Sequence, residues 1–271
     1  MSTVLNSPVA YDPDIIRQRL QSNPIVSNVY VFQSVTSTNE VAKRLAEGGA
    51  PSGSLVLADR QTAGKGRRGR RWESPPGVGL WFSLLLRPQH PEDNWHLVPM
   101  LLSEMVAVSL GRIVGVPFQV KWPNDVFHGG KKICGILCES GSGERAFEYI
   151  VAGIGINVNQ DISDFPAELR PHATSLRLVS GRPVDRLVLL EEVLRHFAAH
   201  LLPIVEGKKA VRLDAWKTLC PDLGKKVRVV LGSGHIEGIF REVTAAGEIL
   251  IEDAARRIHR FTCGQASLRI P

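Results

Sequence analysis

Asp59-Arg-Gln-Thr-Ala-Gly-Lys-Gly-Arg-Arg-Gly-Arg-Arg-Trp72 alternates three glycines with five cations over residues 64–71, between apolar runs at 54–58 and 79–86. The two runs read as sheet strands, so the basic stretch is a loop carried on a sheet. Gly64, Gly66 and Gly69 let backbone approach a ligand closely, while Lys65, Arg67, Arg68, Arg70 and Arg71 supply positive charge. Successive amides in such a loop can converge on one cluster of oxygens, which describes an anion site. A solvated basic loop, or a nucleic-acid patch, has the same composition.

Charge bookkeeping separates these readings in part. The chain has 271 residues and a formal net charge of +6, from 33 Lys and Arg against 27 Asp and Glu. Six of the cations lie in residues 60–71, and the remainder of the chain is balanced. Positive charge concentrated at one place suits a compact anion better than the coating of a polyanion. A chain of this length exceeds a typical single domain, and one large unit plus a small one is expected. Cys134, Cys138, Cys220 and Cys263 show no CxxC spacing and read as reduced, structural thiols. Residues 1–10 lack a basic segment followed by an apolar run, and no 18 consecutive residues are apolar, so a cytoplasmic protein without a membrane span is expected.

Outward from the loop, residues 1–27 carry Pro8, Pro13 and Pro24 around a short amphipathic piece at 14–20, a docking segment capped at Asp12 or Asp14. Residues 29–35 alternate as a strand, and Ser37-Thr38-Asn39-Glu40 precedes a helical pattern, its plain reading being an N-cap. Residues 96–114 have apolar side chains at helical spacing and stop at Gly115. Two strands at 118–122 and 132–139 flank the Gly129-Gly130 turn signal. A further strand spans 149–158. Its Gly153-Ile-Gly-Ile-Asn157 lacks the third glycine and following helix of a dinucleotide fingerprint, and no P-loop motif occurs. Residues 164–178 form a connection with a capping candidate at Thr174 or Ser175, and helical patterns cover 184–205 and 209–219. His196 and His200 are spaced i, i+4 without a third ligand and read as an exposed helix face. After Pro221, short alternating runs at 227–231, 236–243, 249–251 and 258–261 describe a small all-β barrel. The expected divisions are 1–27, 28–222 and 223–271.

Four polar clusters thus stand at strand ends: Ser37-Thr38-Asn39, residues 61–72, Lys121-Trp-Pro-Asn-Asp125 with Lys132, and Gly155-Ile-Asn157. Gly64-Lys-Gly-Arg-Arg-Gly-Arg70, Lys121-Trp-Pro-Asn-Asp125 and Lys132-Ile-Cys-Gly-Ile-Leu137, with the Ser-Thr-Asn triplet and Gly-Ile-Gly-Ile-Asn, resemble in order the motifs of the biotin protein ligases. The resemblance covers most of residues 30–160. It implies an α+β, mixed-sheet biotin/lipoate ligase-like catalytic domain with a small C-terminal SH3-like β-barrel. It also implies a two-step reaction: biotin and ATP give biotinyl-5′-AMP, whose acyl group passes to a lysine of a biotin carboxyl carrier protein or domain, as in acetyl-CoA carboxylase. Mg²⁺ is expected with the ATP and not from any cluster of ligands.

By position in the family's motifs, Ser37, Thr38, Asn39 and Gln61 face the ureido end of biotin, and Gly64, Lys65, Gly66, Arg67, Lys132 and Gly135 complete the biotin site. Arg67, Arg70, Trp72, Asn124, Lys132 and Asn157 take the ATP or AMP side, with Trp72 packed against adenine. Lys132, Arg67 and Asp125 are the implied catalytic residues: Lys132 bridges carboxylate and α-phosphate, and Asp125 orients or deprotonates the incoming amine. Biotin protein ligases usually have arginine where Lys65 stands, and a lysine keeps the charge without the planar fork. No N-terminal DNA-binding domain of the kind found in bifunctional members is expected, so the resemblance is to the monofunctional type, with no DNA partner expected and a homodimer implied. A lipoate ligase shares the fold and adenylate chemistry, and the loop with Lys-Trp-Pro-Asn-Asp argues for biotin.

Overall fold

Residues 149–157, Tyr-Ile-Val-Ala-Gly-Ile-Gly-Ile-Asn, form the middle strand of a mixed sheet, and their alternation decides what each face carries. The computed structural model describes residues 11–90, 95–141, 148–231, 234–263 and 267–269. In chain order its elements are α1 (Pro13–Leu20), β1 (Asn28–Val35), α2 (Thr38–Glu47), β2 (Ser54–Gln61), β3 (Gly79–Leu86), α3 (Val98–Val114), β4 (Gln119–Lys121), β5 (Asp125–His128), β6 (Lys131–Gly141), β7 (Tyr149–Asn157), α4 (Leu176–Ser180), α5 (Arg186–His200), α6 (Leu202–Val205) and α7 (Asp214–Leu219). A second sheet follows, of β8 (Lys226–Leu231), β9 (Gly234–Val243), β10 (Ile249–Glu252), β11 (Ile258–Phe261) and β12 (Ser267–Arg269).

The first sheet runs β1-β2-β3-β7-β6-β5-β4, with β1 and β2 parallel and the other neighbours antiparallel. Side chains of a strand alternate between faces. Ile150, Ala152, Ile154 and Ile156 of β7 therefore join Leu80, Phe82 and Leu84 of β3 in the core shared with α3 and α5. On the other face Val151 packs with Val56 and Leu85 against Val41, Ala42 and Ala46 of α2. This leaves Gly153, Gly155 and Asn157 as the continuation of that second face.

Helix α3 buries ten of its side chains and ends at Gly115, whose φ of 79° and amide bond to the Gly111 carbonyl make a left-handed cap. With the turn before it, Trp95–Val114 is long and apolar enough to cross a membrane by length and composition. Its apolar side chains are used in the core instead, where each large aliphatic group contributes about 1.5–3 kcal/mol. Helix α1 starts at Asp12, whose carboxylate accepts the amides of Asp14 at 2.9 Å and Ile15 at 3.3 Å, and buries Ile16 and Leu20.

Several expected boundaries move. The pattern at 184–205 divides into α5 and α6 around Pro203, which lacks the amide that would continue one helix. The helix expected at 209–219 covers only Asp214–Leu219. Between 118 and 139 there are three strands, because the Gly129-Gly130 turn joins β5 to β6 and the Trp-Pro-Asn segment reverses the chain from β4 into β5. Ser175, not Thr174, caps α4, accepting the Leu178 amide at 3.2 Å. His196 is not on an exposed face: it is buried against α3, with Nδ1 3.2 Å from Ser109 Oγ and its ring 4.6 Å from that of His200. The second sheet, ordered β11-β10-β9-β8-β12, is the expected SH3-like unit with one unpredicted strand, β12. It sits on the first unit through Trp122 Nε1 donating to the Gly247 carbonyl at 3.0 Å and through a core continuous with α3.

The base of the basic loop is fixed by a buried ion pair. Asp59, near the end of β2, accepts from Arg186 of α5 at 2.8 Å and from the Gly77 amide at 3.1 Å, while the guanidinium lies 4.4 Å from the ring centre of Tyr11. Asp59→Ala strands the arginine, and a loss of about 3–5 kcal/mol in urea denaturation is expected, largely recovered in Asp59→Ala with Arg186→Met. Burial lowers His196 to about 4, with His200 adding to the effect. The unfolded chain takes up a proton near pH 6.5 that the fold refuses until about pH 4. This histidine therefore erodes stability as pH falls through that window, by at most about 1.4 kcal/mol per pH unit. Urea midpoints at pH 7 and pH 4.5 should converge in His196→Gln relative to the unsubstituted protein.

Candidate active site

The uncovered half of the second face is the floor of a cavity of about 700 Å³, walled by the start of α2, residues 61–75, the β5–β6 hairpin and residues 160–173, with Leu268 of β12 at its margin. Its floor is bare backbone for a reason. A Cβ on Gly155 would lie 2.5 Å from Trp72 Nε1, and one on Gly153 would overlap the Asn39 amide. The glycines that suggested a nucleotide fingerprint thus make room for two side chains to lie against the sheet.

At one end of the cavity is a hydrogen-bonded cluster. Gln61 Oε1 accepts from the Thr38 amide at 2.8 Å and the Thr38 hydroxyl at 3.1 Å, and Gln61 Nε2 donates to Ser74 Oγ at 2.9 Å. Asn39 Nδ2 donates to the Leu137 carbonyl at 3.2 Å and to Glu139 at 2.7 Å, and Ser83 Oγ lies 2.6 Å from Asn39 Oδ1. Ser37 stands at the N-cap position of α2 but makes no side-chain cap bond, so the plain capping reading of this triplet fails there. Ser37, Thr38 and Asn39 are buried and line the cavity.

Residues 61–75 fold on themselves as a ribbon. The Gly66 amide donates to the Arg70 carbonyl at 2.7 Å, the Trp72 amide to the Gly64 carbonyl at 2.9 Å, and Lys65 pairs with Arg71. At its tip Arg68 adopts φ of 57°, an uncommon conformation for a side chain with a Cβ. The amides of Gly66, Arg70 and Trp72 are engaged within the ribbon. What the loop offers the cavity is side-chain charge. Lys65 is drawn to Glu40 at 2.5 Å and holds that carboxyl below its usual pKa. Arg70 is exposed on the cavity rim. Arg67 turns inward, donating to Asn124 Oδ1 at 3.1 Å and to the Cys263 carbonyl, and burial draws its pKa down.

Across from the ribbon, Lys132 Nζ lies 2.6 Å from Asp125 Oδ1 and 5.2 Å from the Trp72 ring centre. Paired register places Asp125 opposite Gly135 and Gly135 opposite Gly155, so the Trp72 indole spans two bare positions on adjacent strands. It meets Trp81 edge-on at 6.4 Å, and its buried Nε1 has no acceptor among the described residues. Asn124 is buried, its Nδ2 donating to the Ile136 carbonyl. Farther along, Asn157 Nδ2 donates to the Thr174 carbonyl at 3.0 Å. Among the described residues no group of three or more His, Cys, Asp or Glu could hold a metal ion, so His196 and His200 lack further ligands.

All fifteen residues singled out in the sequence border this cavity except Gly64, whose carbonyl closes the ribbon beneath it. Sequence reading missed Ser83, Glu139, Glu40, Ser74 and Gln160. Ser83 carried a signal, being the lone hydroxyl in the apolar strand Gly79–Leu86. Glu40 and Gln160 adjoin recognised motifs, whereas nothing local marks Glu139 or Ser74.

Residues 31–157 match the Biotin/lipoate A/B protein ligase family. The chain is 33% identical over 250 residues to the bifunctional ligase/repressor BirA of Bacillus subtilis, covering 92% of this chain and 77% of that protein. It is 32% identical over 230 residues to the biotin--[acetyl-CoA-carboxylase] ligase of Paracoccus denitrificans, covering 82% and 92%. Among solved structures, the biotin protein ligase of Aquifex aeolicus in complex with biotin and ATP superposes with a TM-score of 0.77 at 35% identity, covering 90% of this chain and 99% of that one. The mixed sheet with its glycine floor, the arginine ribbon above it and the SH3-like unit beside it, together with these similarities, show that the chain belongs to the biotin protein ligase family.

Proposed function

We propose that this chain is a biotin–[biotin carboxyl carrier protein] ligase that joins biotin to ATP as biotinyl-5′-AMP and passes the biotinyl group to a lysine of a carrier domain. The observation that carries the reading is the position of Lys132. Its ammonium stands in one cavity with the Thr38–Gln61–Asn39 cluster and Arg67, and directly over the Trp72 ring.

In the first step the biotin carboxylate oxygen bonds to the α-phosphorus of ATP and the bond to pyrophosphate breaks. Both reactants are anions, so the barrier contains their repulsion, and fixed cations are the remedy the site provides. Lys132 serves between carboxylate and α-phosphate, and Arg67 and Arg70 on the phosphates. Ser37, Thr38, Asn39 and Gln61 bind the ureido end, and the bonds of Thr38 to Gln61 and of Asn39 to Ser83 hold donors and acceptors in place before the ligand arrives. Trp72 offers the adenine a flat face. Asn124 offers an oxygen on the cavity wall, suited to meet a Mg²⁺ carried on the phosphates, and that ion would neutralise phosphate charge.

In the second step the carrier lysine, as neutral amine, bonds to the acyl carbon, and the bond to the phosphate oxygen breaks with AMP leaving. Asp125 orients the amine and takes its proton. Before substrates bind, its carboxylate is tied to Lys132 at 2.6 Å; substrate anions compete for the same ammonium, and binding in the first step frees the base for the second.

Lys132→Ala is expected to slow biotin-dependent pyrophosphate exchange by at least about 100-fold with the far-UV spectrum unchanged, and near-normal exchange would remove its role. In Asp125→Asn supplied with preformed biotinyl-AMP, single-turnover transfer to a carrier domain should fall at least as far as activation does. Exchange that depends on lipoate and not on biotin would instead identify a lipoate ligase.

A further inference from the structure

We propose that Gln160 selects the amino group at C6 of the purine, which makes it a specificity-determining residue for the nucleotide. The inference rests on the reading above that the base lies beside Trp72 and Asn157.

Hydrogen-bond polarity fixes the orientation of two successive amides. The Thr174 backbone carbonyl can only accept, so the Asn157 atom 3.0 Å from it is the donor Nδ2. Asn157 Oδ1 therefore faces Gln160, and the Gln160 atom 3.2 Å away must be the donor Nε2. What remains is Gln160 Oε1, a buried acceptor without a donor among the described residues. It belongs to a side chain only 2% exposed that lines the cavity. The backbone of Gln160 is also held, since its carbonyl accepts from Ser175 Oγ at 2.6 Å.

A buried acceptor left without a donor is costly, and a ligand that brings an N–H to it binds better than one that does not. Adenine carries an amino group at C6. Hypoxanthine and guanine carry an oxygen there, which would set acceptor against acceptor. Asn157 Oδ1, which accepts from Gln160 Nε2, keeps a second lone pair. A site built to hydrogen-bond one substrate group rejects the analogue lacking it far more strongly than apolar contact alone would.

The test compares ATP with ITP, in which an oxo group replaces the C6 amino group and N1 carries a proton, in biotin-dependent pyrophosphate exchange. The unsubstituted protein should prefer ATP by at least about 100-fold in kcat/KM. Gln160→Met, of similar length and without polar atoms, should bring that ratio within about 10-fold through a raised KM for ATP, leaving KM for biotin unchanged. Gln160→Asn, which withdraws the oxygen by one methylene, should act in the same direction and serves if the methionine variant does not fold. A retained ATP-to-ITP ratio in a folded variant, or no preference in the unsubstituted protein, overturns the inference while leaving the ligase reading intact. Absence of biotin-dependent exchange with any nucleotide in the unsubstituted protein overturns that reading, and this inference with it.

Discussion

The contact on which the site depends is the Trp72 indole lying on bare backbone at Gly135 and Gly155. A sheet face normally carries side chains at every second position, and α2 covers such a face at Val151. Two residues farther along β7, glycine replaces the side chain and the Asn39 amide takes the space; two more, and the indole does. The strand thus changes from core to floor without any change in its hydrogen bonding to β3 and β6. Everything above that floor is placed by it: Lys132 over the ring, the ribbon that carries Trp72, and Asn157 at the end of the strand.

Around the floor, the polar groups of the Thr38–Gln61–Asn39 cluster are held by one another or by neighbours. Glu139 shows the pattern, accepting from Asn39 at 2.7 Å and pairing with Lys43 at 2.5 Å, so that a half-buried carboxylate orients an amide and is itself neutralised. Such networks are stabilising only when satisfied throughout, because each unpaired member would be left in a poorly solvated place. Trp72 Nε1 and Gln160 Oε1 depart from this rule, having no partner among the described residues. Unsatisfied groups in an otherwise complementary cavity are where a ligand's own donors and acceptors belong.

Much of this was legible in the sequence, in proportion to how local the cause is. Strand alternation in β1, the glycine cap of α3 and the density of cations in residues 60–71 are short-range patterns, and each led to the right element. The motifs account for most of the cavity wall, but not for its side at residues 160–173 or for Leu268. What escaped depended on distant partners. His196 looked like half of an exposed pair because burial against Ser109 of α3 is invisible from α5 alone. The helix expected from 209 begins only at Asp214, and the ribbon that three amides close across residues 64–72 is a pairing that glycine content does not announce.

The cations of the site are also less free than composition suggests. Lys65 is paired with Glu40, Arg71 with Glu73 at 3.1 Å, and Lys132 with Asp125. An incoming carboxylate or phosphate therefore exchanges one anionic partner for another, and its gain is the difference between two ion pairs instead of a full Coulomb term. That difference favours the substrate where the existing pair is most compromised. Lys132 and Asp125 are both only about a quarter to a third exposed, at 31% and 25%, and the pair sits beside a bare indole face, whereas Lys65 is 49% exposed and Glu40 36%. Arg67 is constrained differently: it is committed to neutral oxygens, Asn124 Oδ1 and the Cys263 carbonyl, and retains its whole charge for an anion. The loop that looked like a uniform basic patch thus contains cations with different work. Arg67 and Lys132 are poised to receive charge, and Lys65 and Arg71 keep the ribbon's own repulsion in check.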